Sequence, residues 1–368
     1  MSAVLRGIRD RFFYEMHMRA VRRDWRARHA RVYELNPGYR APCAPEVELE
    51  HVRMWERPGE RVKLDTLRIC AALSGVADPR IVPEEVFAGP VEHCLAAPPW
   101  HVFFSHKSYS ERLLEEGRFP RSYLHNINGL YYDGGFRPIS ARAAEDLVER
   151  LPYPVVVKPN TGAAGGREVR FVNNAAELRA AARGASNYLV QEVVRQHAAL
   201  SRFSARGLNT FRVYTYRSVA NDEVAVLNAG LRMGRGGSLD NLTAGGIACY
   251  VSSAGRLHGY AITKYGEKFE THPDTGIRFA ECEPIPRFAA LLSLAVRLAE
   301  RIPMPRLAGW DFALDEGGEW RTIEVNLRGH SIRFAQYAGV PFFGRFTEEV
   351  IEHCARHPRA GRAELAIY

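Results

Sequence analysis

The sequence predicts an α+β protein with antiparallel sheets in at least two lobes. Three observations carry this reading. Apolar, β-branched runs such as "YPVVVKP" and "NYLVQEVV" have the composition of strands, and amphipathic stretches such as "IPRFAALLSLAVRLAERI" have the period of helices. Near the end, "GWDFALDEGGEWRTIEVN" reads as two strands joined by a Gly-rich turn.

The chain has 368 residues, more than one ordinary compact core needs and enough for two or three domains or subdomains. With 46% hydrophobic and 25% charged residues, its composition is that of a soluble globular protein. No run approaches the roughly 18 uninterrupted apolar residues of a membrane-spanning helix, and the first residues lack the pattern of a secretory signal. Cys43, Cys70, Cys94, Cys249, Cys282 and Cys354 are scattered, with no CxxC pair, as expected of free thiols in a reducing compartment. A cytoplasmic location follows as the expectation.

Taken in order, residues 5–33 read as a helix in which Phe12, Phe13, Tyr14, Met16, Met18, Val21 and Trp25 interleave with many arginines. Most of the net charge of +8 sits here. Two readings stay open: the helix packs its apolar stripe on the body, or it makes peripheral contact with an anionic membrane. Nucleic acid is not expected, since no recognition motif accompanies the charge. Residues 34–48 read as a Pro/Gly linker. Beyond it, "VKLDTLRICAALSG" reads as helix and "PVEHCLAAPPW" as a proline-rich connector. From about 103 strands and helices alternate. "SERLLEEG" and "AAELRAAARG" are short helices, and "TFRVYTYRS" and "EVAVLNAGLRMG" are strands.

Alternation places Glu324 and Asn326 on one face of the last strand, and pairing across the turn brings Asp311 to the same face. Two carboxylates and an amide oxygen form a hard, oxygen-only site suited to Mg²⁺. Upstream, "VVVKPNTGAAGGREVRFV" ends a buried-type strand with Lys158 and continues into a loop with Gly162, Gly165 and Gly166. Such glycines let backbone N–H groups close on phosphate oxygens, and the lysine supplies charge. The spacing is neither the Walker pattern nor GxGxxG. In "NYLVQEVV" the strand runs into Gln191 and Glu192, a candidate hinge.

As an ordered set, these pieces resemble the ATP-grasp superfamily over about residues 100–350. "RQHAALSRFSARGLNTFRVYTY", "GLRMGRGGSLDNLTAGGIACYV", "THPDTG" and "GWDFAL" resemble its sugar-transfer-associated branch. The resemblance implies an ATP-grasp fold of two α+β lobes clasping ATP, preceded by a helical N-terminal segment and a small pre-ATP-grasp domain. It implies divisions at 1–45 (basic helix and linker), 46–102 (pre-ATP-grasp), 103–192 (N-lobe with glycine-rich lid), 193–356 (C-lobe with metal site) and 357–368 (tail).

It further implies that Lys107 and Lys158 hold the nucleotide phosphates under the lid of Gly162, Gly165 and Gly166. Gln191 would meet the adenine amino group, the backbone of Glu192 and Val194 the ring nitrogens, and His197 or a neighbour the ribose. Arg212 and Arg232, with Lys158, form the catalytic set, the two arginines projecting toward the γ-phosphate and the acceptor; Asn209 and Thr210 hold the strand entry. Asp311, Glu324 and Asn326 would bind Mg²⁺, with Mn²⁺ as a substitute. Asp240 and Asn241 lie in a loop that either closes over the acceptor or makes an Asx turn before Gly245 and Gly246. His272 reads as structural. Arg328 replaces the family's Pro–Gly turn and either binds an anionic substrate or fills space.

The implied activity is ATP-dependent joining of a small-molecule carboxylate to an amine through an acylphosphate, in glycan or natural-product assembly. The alternatives are phosphoryl transfer to a hydroxyl and a nucleotide-binding scaffold without turnover.

Overall fold

The computed structural model describes residues 3–96, 101–115, 117–161, 168–204, 207–236, 242 and 245–357. It opens with one long helix, α1 (Ala3–Leu35). Tyr14, Met18, His29, Val32 and Tyr33 are buried along one side, at helical spacing. The stretch 34–48, expected as a linker, is only partly one. A 3-10 turn forms at Pro37–Arg40, and α2 (Pro45–Trp55) begins inside it. Pro45 sits at the helix start, where a missing N–H costs nothing. α3 (Asp65–Ser74) ends at Gly75, whose left-handed φ of 77° closes the helix.

The proline-rich connector expected at 90–100 is instead helical over its first half. Glu84–Val86, Phe87–Val91 and Glu92–Leu95 follow one another, and the middle piece is a wide π turn holding Pro90. A wider turn accommodates a ring that would clash with a regular α-turn. Trp55, Val82, Val86, Phe87 and Val91 share one apolar cluster with Tyr214, Tyr216, Phe342 and Phe343. The segment 46–96 therefore packs directly on the second lobe.

The first lobe begins with α4 (Lys107–Leu113), one turn earlier than "SERLLEEG" suggested, so Lys107 is its first residue. Six strands follow: β1 (Ser122–Ile127), β2 (Leu130–Asp133), β3 (Pro138–Ile139), β4 (Val155–Pro159), β5 (Arg170–Val172) and β6 (Asn187–Glu192). They form one antiparallel sheet in the order β3-β2-β1-β6-β4-β5. Leu124, Val155, Val157, Tyr188 and Val190 pack on α5 (Ala141–Val148) and α6 (Ala175–Ala182). Both helices start at side-chain caps, Ser140 and Asn174. By alternation, Lys158 and Gln191 lie on the opposite face.

The second lobe is a seven-stranded antiparallel sheet. Its strands are β7 (Thr210–Arg217), β8 (Val224–Met233), β9 (Ile247–Val251), β10 (Leu257–Ile262), β11 (Lys268–Phe269), β12 (Leu307–Leu314) and β13 (Trp320–Asn326). Their order is β11-β10-β9-β8-β7-β12-β13. One face carries Phe211, Val213, Leu231, Cys249, Trp310 and Phe312 against Leu291, Leu294 and Leu298 of α7 (Phe288–Glu300). The other face is divided. Tyr214, Tyr216 and Leu307 are covered by Phe342, Phe343 and the apolar side of α8 (Thr347–Arg356). Arg212, Arg232, Asp311, Glu324 and Asn326 occupy the rest. The α+β class and the two antiparallel lobes agree with the sequence reading. Among the described residues no helix is long and apolar enough to cross a membrane.

Leu291 is fully buried at the centre of the larger cluster. Leu291→Ala is expected to lower the unfolding free energy by about 2–5 kcal/mol, read as a reduced urea midpoint.

Candidate functional site

The site starts from one row of residues across three strands. β7, β12 and β13 are paired so that Arg212 lies opposite Asp311 and Asp311 opposite Glu324. Asn326 lies opposite Gly309, two residues along on the same face. A Cβ at Gly309 would come within 2.9 Å of the Tyr214 ring, so glycine is required for that close approach. The β12–β13 register shifts between Asp311 and Phe312, because Phe312 pairs with Thr322 and leaves Ile323 as an extra residue. A bulge of this kind re-aims neighbouring groups. The Ile323 carbonyl lies 3.5 Å from Lys158 Nζ, across the gap between the lobes.

Asp311 is buried and fully engaged. Its carboxylate accepts from Arg212 Nε and from Arg212 Nη2 at 3.0 Å, and Arg232 Nη2 lies 3.0 Å from Oδ2. The two arginines, expected to point separately toward phosphate and acceptor, both pair with Asp311. The register places one directly opposite it and the other a strand further away. Arg232 also donates to Thr210 Oγ1. Burial alone would raise the Asp311 carboxyl, but the two guanidinium charges overcome it and hold the group well below the usual range. Glu324 moves the other way. Burial and the Asp311 charge raise it, against the pull of Lys107, whose Nζ is 3.9 Å from Glu324 Oε2. Asn326 Nδ2 donates to Glu324 Oε1 at 3.3 Å.

Lys158 is almost wholly buried. Burial, with Lys107 acting in the same direction, pushes its ammonium down to about 8, while Glu324 and Glu111 oppose the shift. Both lysines are braced by Asn160, a residue that sequence reasoning missed. The Lys107 N–H donates to Asn160 O at 3.0 Å, Ser108 Oγ donates to Asn160 Oδ1 at 2.6 Å, and Asn160 Nδ2 donates to Asn126 O and Asn187 Oδ1. The signal was present in "VVVKPN", where a polar residue follows the strand end two positions after the lysine.

A second missed residue is Glu92. It accepts from the backbone N–H of His330 and lies 2.7 Å from its Nδ1, while His330 Nε2 is 3.0 Å from Asn326 O. The N-terminal region thereby clamps the exit of the strand that carries Glu324 and Asn326.

The donor set fits a magnesium ion. The Asp311 and Glu324 carboxylates stand opposite each other, Asp311 buried and Glu324 half-buried, and burial together with the Asp311 charge raises Glu324. Asn326 keeps its amide oxygen while its nitrogen is used. Lys107, Lys158, Arg212 and Arg232 together outnumber the carboxylates, so the cluster as a whole favours a polyanion.

Residues 168–347 match the model of the sugar-transfer associated ATP-grasp family. This stretch, just under half of the chain, is similar to that family. The matched part contains the Arg212–Asp311–Glu324 row and Asn326, whereas Lys107 and Lys158 precede it and are joined to the site by geometry. No curated protein matches the chain. Among solved structures, a biotin carboxylase–β-γ-ATP complex from Campylobacter jejuni is similar at 16% identity and TM-score 0.43, over 71% of this chain and 48% of the other. An N5-carboxyaminoimidazole ribonucleotide synthetase from Thermotoga maritima is similar at 14% identity and TM-score 0.38, over 66% and 49%. An L-amino acid ligase from Bacillus licheniformis is similar at 15% identity and TM-score 0.37, over 72% and 49%. The chain spans about half the length of each.

The other residues singled out in the sequence lie around this row. The Gln191 carboxamide nitrogen donates to Pro120 O and to Ser122 Oγ, both at 3.1 Å, which braces β6 on β1 and orients the side chain; an adenine amino group would need its oxygen as acceptor. The Glu192 carboxylate accepts from Arg121 N, and Val194 is half-buried in the segment that follows. His197 caps a short helix by accepting from Ala199 N. Asn209 holds the entry to β7 through paired hydrogen bonds with Gln196, as expected. His272 is structural, with Nε2 3.0 Å from Gly234 O and Nδ1 accepting from Asp274 N. Gly162, Gly165, Gly166, Asp240 and Asn241 lie outside the described residues.

The lowered Lys158 gives a pH prediction. A bound triphosphate favours the charged ammonium, so binding takes up a proton wherever the free lysine is neutral. Nucleotide affinity should be level below about pH 8 and fall as pH rises above it, by up to about tenfold per unit. Calorimetry in two buffers of different ionisation heat reads the proton uptake, and Lys158→Met should abolish it.

Proposed function

We propose that the protein is an ATP-dependent carboxylate–amine ligase acting on a sugar acid, amino acid or small peptide in glycan or natural-product assembly. The observation that carries this reading is the convergence of Lys107 and Lys158, from separate elements of one lobe, on the Asp311–Glu324–Asn326 face of the other. In the proposed reaction a carboxylate oxygen of the substrate attacks the γ-phosphorus of ATP, the bond to the β-phosphate oxygen breaks, and ADP leaves. An amine nitrogen then attacks the acyl carbon of the acylphosphate. Phosphate leaves, the amine gives up a proton, and an amide forms.

The residues have distinct parts in this. Lys107 and Lys158 neutralise phosphate oxygens and orient the triphosphate, since positioning and electrostatics carry phosphoryl transfer. Glu324 and the Asn326 amide oxygen would hold Mg²⁺, with Asp311 joining them on the same face where a guanidinium gives way, and the ion would offset charge on the transferring phosphoryl group. Arg212 and Arg232 keep Asp311 ionised and fixed in place. Arg328, half-buried two residues beyond Asn326, would receive an anionic acceptor in this reading.

ADP release against paired pools of carboxylates and amines tests the proposal. Release that needs both substrates, with amide appearing in equal amount, is the expected result. Glu324→Ala should lower the rate at least about 100-fold, as removal of a major electrostatic element does. Release that needs only a hydroxyl compound, or no release with any pool, would overturn the ligase reading.

A further inference from the structure

The N-terminal helix has a second face that the fold leaves uncovered. Tyr14, Met18, His29 and Val32 of α1 are buried against the body. At the helical repeat of about 100° per residue, Ile8, Phe12 and Met16 fall on a flank turned about 120° from the centre of the buried side. Their relative exposures are 62%, 60% and 51%. Single exposed apolar residues are ordinary, but three on successive turns of one line are a surface that something covers. Arg19, Arg23 and Arg26, all exposed, continue the same line toward the C-terminal half. Arg23 shares a partner, Asp24, whose carboxylate is 3.4 Å away and sits off that line.

We propose that this face of α1 docks on an anionic lipid surface. Ile8, Phe12 and Met16 enter the headgroup boundary, and Arg19, Arg23 and Arg26 lie along the negative surface. Residues 8 to 26 extend over roughly 27 Å at the α-helical rise, and the arginines spread along them make the helix lie flat rather than cross. Charge complementarity selects this occupant. A second copy docked in parallel would stack arginine on arginine. Three side chains also offer far less than the roughly 800 Å² per partner of a stable protein interface. A bilayer needs only shallow apolar insertion backed by basic residues, which is what the line provides. The proposal does not depend on the ligase reading.

Flotation of the full chain with vesicles of phosphatidylcholine alone, or with about one third phosphatidylglycerol, tests it. The expected result is partitioning onto the anionic vesicles only, weakened by salt. Ile8→Ser with Phe12→Ser should abolish it. Independently, Arg19→Gln with Arg23→Gln and Arg26→Gln should reduce it about 100-fold, at about fivefold per arginine. All five side chains face solvent, so both variants should keep the wild-type thermal midpoint, which separates lost docking from lost folding. Failure to float with anionic vesicles would overturn the proposal. So would equal flotation by wild type and both variants, or a wild-type dimer that Ile8→Ser with Phe12→Ser disperses while no vesicles are bound.

Discussion

Two carboxylates facing each other inside a protein are the constraint on which the rest of this site depends. Asp311 and Glu324 are opposed in register across β12 and β13, and neither is freely solvated. Removing such charges from water costs several kcal/mol each unless cations stand beside them. The fold supplies those cations from three directions: Arg212 and Arg232 from the adjoining strands, and Lys107 from the start of α4 in the other lobe. The outcome is unequal. Asp311 is held firmly ionised by two guanidinium groups, while Glu324 has one lysine, 3.9 Å away, and a carboxylate neighbour. That inequality marks the Glu324 side as the place where a further cation is most strongly favoured.

The supports around this pair explain why segments far from it matter. Asn160 ties the strand that delivers Lys158 to the helix that begins at Lys107, so the two lysines are positioned as one unit. Glu92 and His330 join the N-terminal region to the turn after Asn326. Buried polar groups satisfied on several sides are rigid, and losing one partner strands the others. The N-terminal segment is thus part of the apparatus that holds the last strand, in addition to its share of the apolar core with Tyr214 and Phe342. Its outer line of Ile8, Phe12 and Met16, in contrast, is more than half exposed.

Much of this was legible in the sequence, and the failures have physical causes. The β12–β13 hairpin could be read because alternation and a Gly-rich turn are local signals, and they sufficed to put Asp311, Glu324 and Asn326 on one face. The bulge at Ile323 could not, since strand register depends on the partner. The run into Gln191 and Glu192 read as a hinge, but a local pattern could not show that Pro120 and Ser122 take the Gln191 donors. The pairing of Arg212 and Arg232 with Asp311 joins residues far apart in the chain, beyond any local pattern. Pro90 was read as a breaker, yet a π turn accommodates it. Strands β1 to β3 escaped notice because "SYLHNINGLYYDGG" is interrupted by polar residues, and Asn128, at φ 51°, turns the chain within it.

The central claim is that one divalent cation sits at the Asp311–Glu324–Asn326 face against a triphosphate held by Lys107 and Lys158. Electron paramagnetic resonance of Mn²⁺ bound with a non-hydrolysable ATP analogue tests it most directly. The account predicts a tightly bound ion with phosphorus hyperfine coupling in the wild type, and loss of that ion in Glu324→Ala while the fold is retained. An identical bound-ion spectrum in wild type and Glu324→Ala would contradict it.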